Sequence, residues 1–390
     1  MSKRIAVIVD SDIYCQRGIF NAVRNRIKYL RDQSDFDIDV YVIGFYEPWY
    51  IRKLHHTNKV DKVDFVVLDG IKYHTLWCNF TLTDYILEKR LHLSPVFIKL
   101  FYRRLVNKIR GYDIISAHST YCGLAAYRIS KRDGVPFCVT WHGSDIHTEP
   151  FVNKSLYKIV KKLLATASCN FFVSDKLLKT GLTITPSMNC EILYNGSNES
   201  FKKYPDETKT QLRKSFGVPD GSQVVAFVGG LIEIKNPQLL VPIFDAVRKK
   251  YDQLLTFWII GSGKMQWELE KAFSQLNLPC VFWGDQPADK MPDFMNCIDV
   301  LVLPSKNEGL PLVVVEAIAC GSNAVGSDVG GTSEVVGKEN VFPHGESFVE
   351  NISDRIVYML THTVEQPLGN MFDWRNTARK EKDIYNKLLG

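Results

Sequence analysis

Residues 299–321 read DVLVLPSKNEGLPLVVVEAIACG, and the reading of this stretch decides the fold. Val300–Leu303 is a short, wholly apolar run, the pattern of a strand buried on both faces of a parallel sheet. It ends at Pro304, which cannot donate to a ladder. A polar loop follows and holds Glu308, and Pro311 suits the first position of a new helix. Glu316 then falls about a turn and a half into that helix, its side chain leaning back towards the N-terminus. The two carboxylates therefore do not share a helical face. They flank a helix start whose free amides and dipole suit a phosphate. Carboxylates accept hydrogen bonds from sugar and ribose hydroxyls, so the pattern fits a ligand carrying both sugar and phosphate.

Outward from this unit, runs rich in Val, Ile and Phe alternate with stretches long enough for amphipathic helices. That rhythm marks parallel α/β architecture. Towards the N-terminus the expected strands are Arg4–Val9, Ile38–Ile43, Val63–Leu68, Asp113–Ala117, Phe137–Trp141, Asn170–Val173 and Cys190–Leu193. A polar, turn-rich stretch from Asn195 to Ser222, with Pro205, Pro219 and Gly221, reads as a linker. The rhythm restarts with Val224–Val228, Leu254–Ile260, Cys280–Trp283, Val300–Leu303 and Asn323–Val325. Residues 374–389 place apolar side chains at Ala378, Ile384, Tyr385, Leu388 and Leu389, which reads as a closing helix. The expectation is an α/β chain of two doubly wound domains with a ligand cleft between them. Residues 1–205 form the first, with a helix over 372–390 packed back on it, and residues 206–371 form the second.

Composition agrees with that plan. A chain of 390 residues is long for one core and comfortable for two. Hydrophobic content of 45% with 23% charged residues is ordinary globular material and argues against disorder. No apolar run approaches the roughly 20 residues that span a bilayer. The opening MSKRIAVIVD reads as a buried strand, without the charged start, apolar run and cleavage site of a secretion signal. Nine cysteines lie singly, without a Cys-x-x-Cys pair or a Cys/His cluster. Reduced thiols in a cytoplasmic protein are expected, rather than disulfides or a zinc site.

Net charge is +5, from 48 basic and 43 acidic residues, too mild to imply nucleic acid. Its distribution is uneven. Lys89–Arg110, KRLHLSPVFIKLFYRRLVNKIR, carries no acid. Projected on a helix, Lys99, Arg103, Arg104 and Lys108 gather on one side and Phe97, Phe101, Leu105 and Ile109 on the other. Lys154, Lys158, Lys161 and Lys162 add charge further on. Such a segment is either a core helix with a solvated basic face or a platform for anionic lipid.

Residues 299–321 resemble the E-x7-E signature of glycosyltransferase family 4, with the flanking P-S-x-x-E-G-x-P and E-A-x-A-x-G in place. The spacing of the two Glu is common; the whole string between a strand and a helix is specific. The resemblance runs in order along nearly the whole chain. It implies the GT-B fold, two Rossmann-like domains facing a central cleft. By resemblance, Glu308 meets donor-sugar hydroxyls and Glu316 the ribose hydroxyls, while amides near Gly309 and Leu310 face the sugar and phosphate.

Six further segments carry the resemblance. AFVGGLIEIKNP (Ala226–Pro237) resembles G-R-L-x-x-x-K, whose Arg and Lys neutralise the donor pyrophosphate. Gly229 and Lys235 match, but Gly230 stands where Arg is usual. Either Lys264, Lys306 or Arg17 supplies the missing charge, or donor affinity is weak. IIGSG (Ile259–Gly263) resembles a G-x-G turn through Gly261 and Gly263. VFWGD (Val281–Asp285) resembles the following strand, whose backbone at Trp283 and Gly284 reads the base. VTWHGSD (Val139–Asp145) resembles H-G-x-D/E, with His142 beside the donor sugar and Asp145 on the acceptor side. DIISAH (Asp113–His118) resembles another strand end, where His118 is equally a core residue. ILYNGSNESF (Ile192–Phe201) resembles N-G-x-D-x-x-x-F, with Asn198 in place of Asp. After the first strand the family carries a glycine-rich loop; this chain has SDIYCQRGIF, with only Gly18 beside Arg17, both assigned to the acceptor side.

The chemistry this implies is transfer of a sugar from a nucleoside diphosphate with retained configuration, without a cofactor or an obligatory metal. Glu308, His142 and Lys235 are the catalytic candidates. The implied partners are a nucleotide-sugar donor, a glycan or lipid-linked glycan acceptor and, at its periphery, an anionic membrane. The implied place is the cytoplasm at the inner face of the cell membrane, in synthesis of a bacterial surface polysaccharide. Other readings stay open. A nucleotide-sugar epimerase would use the same fold. A phosphorylase would need a pyridoxal-phosphate lysine that the sequence does not reveal. A non-catalytic binding scaffold would explain Gly230 and the glycine-poor first loop, but not the retention of Glu308, Glu316, Lys235 and His142.

Overall fold

The computed structural model describes residues 2–11, 13, 18–46, 52, 61–79, 81–87 and 96–390. The chain divides into two compact units, Met1–Asn195 with Trp374–Gly390, and Gly196–Asp373.

The first unit is built on strands β1 (Arg4–Asp10), β2 (Asp37–Tyr46), β3 (Phe65–Leu68), β4 (Ile71–Asn79), β5 (Ile114–His118), β6 (Phe137–Trp141), β7 (Cys169–Phe172) and β8 (Cys190–Ile192). They lie in the order β3-β4-β2-β1-β5-β6-β7-β8. Neighbours are parallel except β3 and β4. The strand order turns back between β1 and β5, so their carboxyl ends, Asp10 and His118, border the topological switch point. Every residue of β5 and β6 is buried, which explains their unbroken apolar runs.

One expectation is corrected here. Val63–Leu68 was to be a parallel strand; the parallel neighbour of β2 is instead β4, and β3 is a short antiparallel edge strand. Asp69 and Gly70 join the two with φ of 52° and 71°, the turn that an Asp-Gly hairpin favours. Along β4 the residues Ile71, Tyr73, Thr75 and Cys78 are buried while Lys72 and His74 interrupt them, so no apolar run announces the strand.

Helices α1 (Ile19–Asp32), α2 (Val96–Lys108), α3 (Thr120–Asp133), α4 (Ser144–His147), α5 (Glu149–Val152) and α6 (Lys154–Thr166) belong to the first unit. The second unit is built on β9 (Gln223–Val228), β10 (Leu255–Ile260), β11 (Val281–Gly284), β12 (Val300–Leu303), β13 (Asn323–Ser327) and β14 (Val341–Phe342). All are parallel, in the order β11-β10-β9-β12-β13-β14. The switch point lies between β9 and β12. Helix α7 (Leu312–Ala319) follows β12, and Pro311 stands one place before it as its cap rather than as its first residue. Val225, Phe227, Ile259, Val300, Val302 and Val325 centre the core.

The expected linker is also corrected. Asp206–Ser215 is a helix, polar all round, with Asp206 and Glu207 in its first turn and Arg213 and Lys214 in its last, where they suit the macrodipole. Arg213 pairs with Asp299 and donates to the Cys297 carbonyl at 2.9 Å, which ties this stretch to the second unit. Ser197 bridges to Asp373, so the units divide earlier than residue 205.

Helix α8 (Trp374–Leu389) is part of the first unit. It buries Trp374, Ala378 and Tyr385, and it carries Glu381 to a buried ion pair with Arg26 of α1. Tyr385 Oη donates to Glu381 Oε1 at 2.5 Å, and Arg26 Nη1 donates to Thr140 Oγ1 of β6 at 3.1 Å. A charge pair this deep holds only because each member is hydrogen-bonded as well.

Candidate active site

The second unit gathers the donor-side candidates at its switch point. The loop after β9 carries Lys235 and the loop after β12 carries Glu308. Because β9 and β12 are neighbours, Lys235 Nζ reaches Glu308 Oε1 at 2.7 Å. Glu308 is 8% exposed at its side chain and Lys235 29%, so a nearly dry carboxylate is covered by a partly wet cation. A second tie holds the loops together: Lys306 donates its backbone N–H to the Ile234 carbonyl at 2.8 Å, and its amine to Glu233 Oε1 at 3.2 Å. Helix α7 begins just beyond, without a side-chain cap, so its first amides are available to a ligand. Leu310 is buried beneath it.

Glu316 lies on α7, half-buried and with no side-chain hydrogen bond or ion pair among the described residues. Burial raises its carboxyl to about 8. A neutral carboxyl both donates and accepts, which suits a pair of vicinal hydroxyls.

The glycines are explained mainly by how closely the loops approach one another. A Cβ at Gly261, whose φ is +127°, would lie 2.1 Å from the Gly229 carbonyl oxygen, and one at Gly263 would lie 2.3 Å from that of Leu231. Gly261 N–H donates to the Gly284 carbonyl at 2.7 Å, joining the ends of β10 and β11. Gly230 differs: a Cβ there meets nothing nearer than 3.8 Å and no left-handed φ is required. Trp283 turns its ring into the cluster of Phe216, Trp258 and Phe294, and its carbonyl accepts from Gln286 Nε2 at 2.6 Å.

In the first unit β5 and β6 are neighbours, and their ends bring His118 and His142 together, Nδ1 to Nε2 at 2.9 Å with the rings stacked. One ring donates and the other accepts. Burial depresses both: His118 falls well below the ordinary range, helped by His142 and then Arg26, and His142 falls to about 3, helped by Arg26. Both rings are therefore neutral at any physiological pH. A neutral His142 cannot pair with a phosphate as a cation, but it can hydrogen-bond a hydroxyl. Asp145 folds back to accept the N–H groups of His142, at 3.1 Å, and Gly143, at 2.8 Å. Its carboxylate shapes the turn, and burial raises it to about 7. Asp10, at the end of β1, is likewise raised to about 7 by burial. Gly18 stands at the start of α1 with φ +54°. Arg17 and most of the loop before it lie outside the described residues, as do residues 89–95 of the basic segment and the side chain of Lys99.

Among the described residues no three His, Cys, Asp or Glu side chains gather as a metal-binding group, and no helix is long and apolar enough to cross a membrane.

Two family models match, together spanning most of the chain: Glycosyltransferase Family 4 over residues 23–201 and Glycosyl transferases group 1 over residues 208–380. The chain belongs to glycosyltransferase family 4. Among its relatives, TuaC, the glycosyltransferase assigned to teichuronic acid biosynthesis in Bacillus subtilis, is 29% identical over 58% of this chain and 56% of its own. Sucrose-phosphate synthase from Thermosynechococcus elongatus superposes with a TM-score of 0.77 at 17% identity, over 99% of both chains. Anabaena HepE, solved in complex with UDP-glucose, gives 0.67 at 18%, over 99% of this chain and 98% of that one. The fold is GT-B, made of two Rossmann-like parallel-sheet units.

For this family-4 member, Glu308 and Lys235 come into contact as one ion pair, and His142 joins His118, which sequence reasoning left undecided. Gly330 was missed. Its φ is +51°, and a Cβ there would lie 2.0 Å from the Glu308 carbonyl oxygen, while Gly331 N–H donates to the Gly309 carbonyl at 2.7 Å. The Gly330–Gly331 pair at the end of β13 thus seats the Glu308 loop. The Gly-Gly dipeptide after a strand was the available signal.

Proposed function

We propose that this chain transfers a sugar from a nucleoside-diphosphate donor to a glycan or lipid-linked glycan acceptor, with retained anomeric configuration and no obligatory metal. The observation that carries the reading is the 2.7 Å contact of Lys235 with Glu308 beside an uncapped helix start. On donor binding, Lys235 exchanges Glu308 for the pyrophosphate and, with the first amides of α7, takes up the leaving-group charge. Glu308 then accepts hydrogen bonds from the sugar, and Glu316 holds the ribose hydroxyls. Neutral His142 serves a sugar hydroxyl. Among the described residues no side chain offers itself as a covalent nucleophile. The departing diphosphate oxygen therefore accepts the acceptor's proton on the face where the new bond forms. TuaC's assignment to teichuronic acid biosynthesis and the UDP-glucose held by HepE support a bacterial surface polysaccharide as product and make UDP-glucose the first donor to try. The reaction belongs in the cytoplasm, with lipid-linked acceptors met at the inner face of the membrane.

The test is thermal unfolding with UDP-, GDP- and ADP-sugars, with and without EDTA, since a ligand of the folded state raises its apparent stability. One donor should shift the transition regardless of EDTA, and the product should keep the donor's anomeric configuration by NMR. A shift abolished by EDTA contradicts the metal-free reading. Change of the sugar nucleotide without an acceptor makes the chain an epimerase.

A further inference from the structure

We propose that the helical face of the first unit formed by α2, α3, α5 and α6 docks on an anionic lipid bilayer, with Phe151 and Val152 as its inserting prong. The inference rests on the lipid-linked acceptor reading and names the surface that would meet the lipid.

Helix α6, KSLYKIVKKLLAT, shows why the bland reading of a basic helix is incomplete. Leu156, Val160, Leu163 and Leu164 are buried, and α6 packs on α3, so the apolar stripe belongs to the core. What remains outside is Lys154, Lys158, Lys161 and Lys162, all exposed, without one acid in the helix. Helix α3 packs in turn on α2 and adds exposed Lys131; α2 adds exposed Arg103, Arg104 and Lys108, again without an acid. Asp133, at the end of α3, is already paired with Arg132.

The second observation is independent of charge. On α5, Phe151 is 56% and Val152 65% exposed, side by side. Single exposed apolar residues are ordinary, but here two adjoin at a tip whose backbone is fixed on both sides. Pro150 is buried, Phe151 N–H donates to the Thr148 carbonyl at 3.1 Å, and Asn153 N–H donates to that of Glu149 at 3.0 Å. Asn153 Oδ1 caps α6 by accepting from Ser155 N–H at 2.9 Å and Leu156 N–H at 3.2 Å. A rigid apolar tip beside a cationic flank, whose acids are Asp133, paired with Arg132, and Glu149, which accepts from Ser144 Oγ at 3.2 Å, is the combination that an anionic bilayer rewards, tip in the acyl boundary and lysines on the headgroups. A soluble polyanion would use the lysines and have no use for Phe151 or Val152. Helix α5 follows α4 and the His142–Asp145 turn directly, so docking brings that turn to the headgroup layer, where a lipid-linked acceptor presents its sugar.

The experiment is flotation of the full chain with vesicles of phosphatidylcholine alone or mixed equally with phosphatidylglycerol, at low and high salt. Binding should need phosphatidylglycerol and weaken with salt. The change Phe151→Ser with Val152→Ser should weaken it about tenfold, and Lys158→Glu with Lys161→Glu and Lys162→Glu about a hundredfold or more. Both variants alter exposed positions, so unchanged melting temperatures and an unchanged thermal shift with the nucleotide-sugar donor separate this result from the fate of the catalytic reading. No flotation with anionic vesicles overturns the proposal. So does flotation that survives the serine changes while dextran sulfate competes fully, because that result makes the face a polyanion surface.

Discussion

Replacing Lys235 by Met leaves Glu308 holding a charge it can scarcely hydrate. The carboxylate is 8% exposed and its cation stands 2.7 Å away. Removing one member of a fully buried pair costs about 3–5 kcal/mol. Lys235 is 29% exposed and already partly hydrated, which brings the expected cost to about 2–3 kcal/mol. In a domain of this size that lowers the melting temperature by about 5–10 °C. Glu308→Gln should cost less, about 1 kcal/mol, because the freed lysine turns to water. The double variant should then be more stable than the sum of the two predicts, by about 1–2 kcal/mol of coupling. Turnover should behave differently. Each single variant loses about a hundredfold to a thousandfold in kcat, and the double variant regains none of it, because the charges act on the donor and not only on each other. Thermal unfolding of the four proteins, with kcat and KM measured on the donor identified by thermal shift, reads both effects. A Lys235→Met protein that melts like the parent and turns over within a few-fold of it would refute the reasoning, since the contact would then be an ordinary surface ion pair.

Gly330→Ala should lower both stability, by about 2–4 kcal/mol, and turnover, because its Cβ would lie 2.0 Å from the Glu308 carbonyl oxygen; Gly230→Ala, with 3.8 Å of space, is the neutral control. Gly230→Arg should fold normally and tighten the donor about tenfold by adding a charge-assisted bond to phosphate, read by titration; unchanged affinity removes the pyrophosphate from that loop. Glu316 gives a pH signature. Its carboxyl is raised to about 8, so the folded state keeps a proton that the unfolded chain releases near the ordinary value of about 4.5. Stability from this group is present at low pH and lost as pH climbs towards 8. Glu316→Gln should therefore melt progressively higher relative to the parent between pH 6.5 and 8.5, as followed by scanning calorimetry. The window avoids His142, whose depressed value makes stability rise with pH only from about 3 to about 6.5. A constant gap across the window would contradict the burial argument.

Much of the sheet was legible because most of its parallel strands are apolar runs ended by Gly, Pro or a polar loop; Phe137–Trp141 and Val300–Leu303 have the same bounds in sequence and structure. What was hidden is hidden for stated reasons. Strand β4 alternates with Lys72 and His74, and only the Asp69–Gly70 turn betrays it. The helix Asp206–Ser215 has no buried residue, so no periodic stripe could separate it from a linker. At the site, residue types were readable but pairings were not. Lys235 meets Glu308, and His118 meets His142, through strand adjacencies that no local spacing encodes. The same limit applies to Phe151 and Val152. An apolar pair in sequence reads as core until the backbone around it is known.

Helix α8 has a consequence for how the chain is made. The first unit is interrupted by the whole of the second, so Arg26 emerges from the ribosome long before Glu381 exists to neutralise it. Until α8 arrives, Phe171 of β7 lacks the ring of Tyr385 that packs on it, and a cation destined for the interior has no anion. The second unit, contiguous in sequence, can close first. The N-terminal half of this protein is thus finished last, and damage to its final helix would be felt beneath Thr140, on the strand that leads into His142.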